Sequence, residues 1–172
     1  MTIDYSSQEL RDKRVAIAKD VLARLEPDAE IGYAIEPARG YYFAGLPSTF
    51  VRGKPLTEYF AEVLPHCTVC LIAAAVVSKA SMWPLDDRPV SPNGFLENSR
   101  YRLFHALKDV FSERQLDLME IAFEGHTEVG NEFHGGAEAR AASKFSYGMD
   151  SPRQIMAAIF QNVVNNDGSF KP

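Results

Sequence analysis

The residues with the most chemical potential lie in two short stretches. Cys67 and Cys70 are the only cysteines and stand at the start of an apolar run. Thiolates at that spacing could bind zinc, or form a redox pair whose pKa is lowered by a helix N-terminus. A zinc site with two cysteines needs histidines to complete it. The second stretch, residues 124–134, holds Glu124, His126, Glu128, Glu132 and His134. Carboxylates and imidazoles are metal ligands and proton-transfer groups, so this segment could supply the missing ligands or an acid/base.

Combined, these stretches give a concrete enzymatic alternative. Zinc-dependent nucleobase deaminases hold zinc through one His and two Cys, with a nearby Glu moving protons. Here Cys67, Cys70 and His126, with His134 in reserve, would be the zinc ligands and Glu128 the general acid/base. Two features stand against it: the elements occur in reverse order, and His66 separates Pro65 from Cys67. No alternation of strands and helices announces a parallel sheet either. The simpler expectation is that the cysteines are small core residues opening a buried helix and that residues 125–136 form a solvated loop. No phosphate-cradling glycine loop, His-Glu-x-x-His helix, calcium loop or nucleophile elbow occurs. His105, between Phe104 and Ala106, reads as a helix-surface or core-edge residue.

A third feature is electrostatic. The chain carries 18 basic and 23 acidic side chains, a formal charge of −5. Residues 115–139 contain Asp117, Glu120, Glu124, Glu128, Glu132 and Glu138 and no Lys or Arg, so the acidity is concentrated there. Asp117, Glu120 and Glu124 share a helical face by the three-and-four rule, and that face is expected to point outward. It would suit a basic protein partner. Tyr33, Tyr41, Tyr42, Phe43 and Phe50 could add an aromatic contact patch or simply cover the core. The net charge argues against broad binding to nucleic acid or anionic membranes, which want clustered Lys and Arg.

The elements that must position these residues are mainly helices. At 172 residues with 46% hydrophobic and 24% charged side chains, the expectation is one globular domain spanning 1–172. Leu10, Ile17, Val21 and Leu25 mark a first helix starting at Ser6 or Ser7 and ending at Pro27. Ile31, Tyr33 and Ile35, then turn residues 37–40 and Tyr41 to Phe43, predict a β-hairpin. A short helix is expected over 56–64 around Phe60. The run from Cys67 to about Met82 is apolar all round, which predicts a helix at the centre of a bundle. Residues 83–98, rich in proline, read as an irregular connection with room for a small-ligand pocket beneath it.

A helix follows over 99–111 with Leu103, Leu107 and Val110 on one side. Ser112 with Gln115 fits a reciprocal capping box opening the next helix, which carries Leu116, Met119 and Phe123 inward. Residues 137–144 form a short helix. Ser151 with Pro152 restarts the chain as a last helix burying Ile155, Met156, Ile159, Phe160 and Val163, and residues 165–168 stop it. The fold class is therefore mainly α, a compact single-domain helical bundle with one small β-hairpin. No signal peptide or apolar run of membrane-spanning length is evident, which predicts a cytoplasmic protein.

Three blocks carry a resemblance: residues 67–74 around Cys67 and Cys70, residues 111–124 from Phe111 to Glu124, and Ile155, Met156 and Ile159 with the ending 166–172. They resemble small uncharacterised proteins of phages and prophages. The resemblance implies no activity or functional residues. It implies a binder, including inhibitors of host defence or regulatory factors. We therefore expect a helical protein that acts by binding another protein through Asp117, Glu120, Glu124, Glu128, Tyr41 and Tyr42. A zinc-dependent hydrolase or deaminase is the alternative.

Overall fold

The computed structural model describes residues 3–26, 34–44, 60, 64–66, 68–83, 100–125 and 136–172. Six α-helices account for most of them: α1 (Gln8–Leu25), α2 (Leu71–Met82), α3 (Arg100–Leu107), α4 (Glu113–Glu124), α5 (Ala137–Phe145) and α6 (Pro152–Asn165). Three two-residue strands, β1 (Glu36–Pro37), β2 (Phe43–Ala44) and β3 (Thr68–Val69), make a small sheet. The architecture is mainly helical.

Helix α2 is the centre. Residues 71 to 80 of it are all buried, as an all-round apolar helix must be. Cys70 caps it: its Sγ accepts the Ala73 N–H at 3.5 Å. Helices α1, α3 and α4 pack on α2, and α6 lies along α1 and α4. Ile17, Val21, Leu103, Leu107, Val110, Leu116, Met119, Phe123, Ile155, Ile159, Phe160 and Val163, expected inside, are all buried. One lysine is buried with them: Lys79 donates to the Ala106 carbonyl at 2.6 Å and pairs with Asp109 at 2.5 Å.

The hairpin is replaced by a different sheet. β1 and β2 do not pair with each other; β3 lies between them, parallel to β1 and antiparallel to β2. The Ala38 N–H donates to Val69 O at 2.9 Å and the Cys70 N–H to Tyr42 O at 3.0 Å, so residues 38–42 arch over β3. Alternating apolar residues specify extended chain but not its partner. Pro37 has no N–H to give a ladder. The β-branched pair Thr68 and Val69, directly before α2, supplies the shared central strand. Most of the helix expected over 56–64 lies outside the described residues, although Phe60 is buried and stacks on Phe43 with ring centroids 6.0 Å apart. Residues 27–33, 45–50 and 84–98, and with them Tyr33, Phe50 and the expected small-ligand pocket, also lie outside.

The last helix ends as a left-handed cap. Asp167 has φ +51° and Gly168 φ +78°, and the Gly168 N–H reaches back to Val163 O at 2.9 Å. A Cβ on Gly168 would sit 2.7 Å from the Arg11 carbonyl, so glycine also permits the close approach to α1. Beyond it, Phe170 is buried and meets Phe145 edge-on at 5.1 Å. Ser112 caps α4 through the Gln115 N–H at 3.3 Å, but Gln115 does not reach back to complete a capping box. Its amide instead clamps the backbone of Phe170, accepting its N–H at 2.7 Å and donating to its carbonyl at 3.3 Å. Ser151 caps α6 through the Gln154 N–H at 3.2 Å, with Pro152 opening the helix.

Candidate functional site

Helix α4 carries the acidic residues expected to face solvent. Asp117, Glu120 and Glu124 do share a face, but Asp117 is 8% exposed and Glu120 5%. Glu124, in the last turn, is half-buried. The reason is that α4 is surrounded: α2, α5 and α6 cover its apolar residues, and residues 40–42 bond to its acidic side. Periodicity identifies a polar face; it does not say whether water or another segment covers it.

Two contacts join that face to the arch over β3. The Tyr42 hydroxyl donates to Glu120 Oε1 at 2.7 Å. The Gly40 N–H donates to Glu124 Oε2 at 3.2 Å, from a turn in which Gly40 takes φ +86°. The acidic face and the aromatic segment, expected as two binding surfaces, are thus largely bound to each other. Phe43 likewise serves the core.

Arg39 completes the arrangement. Its Nη2 lies 3.5 Å from Ser146 Oγ, and its guanidinium carbon stands 5.9 Å from the centroid of the Phe123 ring. Helix α4 ends here at Gly125 in a left-handed cap with φ +79°. A cation beside a helix C-terminus is favourable, and it offsets the unfavourable position of Glu124 in the last turn. Nothing in the sequence marked Arg39 beyond its place in a turn.

With Tyr42 drawn inward, Tyr41 is turned out. It is 62% exposed, and Tyr147, which follows Ser146, is 72% exposed. The Arg39–Ser146 and Gly40–Glu124 bonds tie the backbones bearing these two rings to one end of α4. Nothing in the sequence marks Tyr147, because a lone tyrosine between short helices has no periodic signature.

Cys70 borders the same place. Its thiol is buried and caps α2, and burial pushes its pKa up, with the carboxylates of Glu120 and Glu124 acting in the same direction. In this arrangement it is a protonated capping group and core residue, which is how the simpler expectation read it. Among the described residues no three His, Cys, Asp or Glu side chains gather as metal ligands. Cys67, His126, Glu128 and His134, the rest of the zinc alternative, lie outside the described residues. His105 is exposed on α3, with Nε2 2.6 Å from Lys108 Nζ.

Comparison with protein-family models, curated proteins and solved structures yields no match. No helix of the described residues is long and apolar enough to cross a membrane.

Proposed function

We propose that this chain is a binding protein that engages another protein through the surface around Tyr41 and Tyr147. The observation that carries this reading is the pinned, outward Tyr41. Its neighbours Gly40 and Tyr42 are held by Glu124 and Glu120, while its own ring is 62% exposed. Tyrosine presents large amphipathic contact area with few rotatable bonds, and a fixed backbone lowers the entropy lost on binding. The resemblance to phage proteins suggests the partner class, a host defence or regulatory factor. In this reading the acidic residues of α4 position the surface rather than touch the partner.

The test is affinity capture with tagged wild-type chain and two variants. Tyr41→Ser with Tyr147→Ser should lose the captured protein. Tyr101→Ser removes a 77% exposed tyrosine on α3 and should keep it. Equal capture by wild type and the Tyr41/Tyr147 double variant would overturn the reading.

A further inference from the structure

The opposite end of α4, about 18 Å away along a 12-residue helix, opens on a cleft of a different character. The cleft measures about 470 Å³ and lies between the N-terminal segment, α1, the start of α4 and the C-terminal tail. Three cations line it: Arg11, Arg14 and Lys171.

Arg14 is the unusual one. It is 4% exposed and spends its guanidinium on three backbone carbonyls: Gly168 at 2.5 Å, Val110 at 2.9 Å and Tyr5 at 2.9 Å. Carbonyls satisfy its N–H groups but bring no negative charge. Burial and the nearby Arg11 push its pKa down, partly offset by Asp167, as for a cation short of counter-charge. Arg11 bonds to Ser6 O through Nε and to Asp167 through Nη1, both at 3.0 Å, and its Nη2 makes no bond among the described residues. The Lys171 ammonium makes no ion pair among the described residues. The neighbouring acids are already engaged. Asp167 is on Arg11, and the Asp4 carboxylate accepts the Ser6 N–H at 3.0 Å and its Oγ–H at 2.6 Å.

The same cleft receives the start of α4. Ser112 lines it, and its hydroxyl, which accepts the Gln115 N–H, still has its own proton to donate. We propose that this cleft binds a phosphate monoester of mononucleotide or sugar-phosphate size. The phosphate would lie among Arg11, Lys171 and Ser112, with Arg14 supplying buried positive charge behind it. The three cations of the lining face one carboxylate, Asp167, and the surplus of two positive charges matches a phosphate dianion rather than a singly charged carboxylate. The volume falls in the range of small-molecule sites and exceeds that of a bare phosphate, which calls for an organic body.

The test is calorimetric titration and thermal shift of the full chain with AMP, ribose 5-phosphate, adenosine, ribose and inorganic phosphate. At least one ester should bind saturably, more tightly than inorganic phosphate, and raise Tm, while adenosine and ribose do neither. A response to AMP alone identifies the nucleotide, and a response to both esters identifies the sugar phosphate. The Arg11→Gln, Lys171→Gln double variant, changed at side chains outside the core, should fold normally and weaken binding at least tenfold. Lys144→Gln on α5 changes the net charge elsewhere and should not weaken it. Three results would overturn the proposal: no saturation by either ester up to about 10 mM, adenosine binding as tightly as AMP, or undiminished binding by the double variant.

Discussion

Replacing Tyr42 with Phe removes one oxygen and little else. The Tyr42 ring packs on the core, and Phe keeps that contact. The lost oxygen is the donor to Glu120, 2.7 Å away on a carboxylate that is only 5% exposed. A hydrogen bond to a charged group contributes about 1.5–3 kcal/mol, and a carboxylate this buried cannot replace the lost donor with bulk water. In a domain of this size each kcal/mol moves Tm by about 2–4 °C, so the variant should melt about 3–12 °C lower. Tyr41→Phe is the control: that ring is 62% exposed, and its loss should stay below about 0.5 kcal/mol. Urea unfolding of both variants, of Glu120→Ala and of Tyr42→Phe with Glu120→Ala closes a double-mutant cycle. The coupling should exceed about 1 kcal/mol. A Tyr42→Phe loss below about 0.5 kcal/mol, or zero coupling, would refute the claim that the acidic face holds this segment.

Four further outcomes are expected. Gly168→Ala should cost about 3 kcal/mol or more, because it combines left-handed strain with a Cβ placed 2.7 Å from Arg11 O. Gly40→Ala, with φ +86° and nothing within 4 Å, should cost only the strain, about 1–2 kcal/mol; equal losses in denaturant titrations would remove the helix-contact argument. Gln115→Ala should release the tail, speeding hydrogen exchange at the Phe170 amide by about tenfold or more; unchanged exchange there would contradict the clamp seen at 2.7 and 3.3 Å. For Cys70, folding keeps the thiol protonated above its ordinary value of 9.0. Its stabilisation is therefore complete below that pH and falls as pH rises through it, by about 1.4 kcal/mol per unit. Wild type should show this extra alkaline slope relative to Cys70→Ala; parallel curves from pH 8 to about 11 would count against a buried neutral thiol.

The helices were legible because their signals are local. Ser112 and Ser151 cap where their side chains permit, Pro152 opens α6, Gly125 stops α4, and the unbroken apolar run of α2 belongs at a centre. Partnership was not legible. Tyr42 and Glu120 are 78 residues apart and Arg14 and Gly168 are 154 apart, and neither spacing nor propensity links them. Spacing marks Asp117, Glu120 and Glu124 as one face of α4 but not what covers that face, since a bonded segment and water demand the same polar residues. The sheet failed for a related reason: Thr68 and Val69 pair with strands that sequence order had already paired with each other.

The acidic side of α4 points inward and fixes residues 40–42, leaving Tyr41 and Tyr147 exposed near its C-terminal end. Hydroxyl-radical footprinting of the full chain, read by mass spectrometry at each tyrosine, tests it most directly. Tyr41 and Tyr147 should react at rates close to that of exposed Tyr101. Tyr42 should react several-fold more slowly, until Glu120→Ala with Glu124→Ala removes both acceptors and frees it. Tyr42 reacting as fast as Tyr41 in the wild-type chain would contradict the claim.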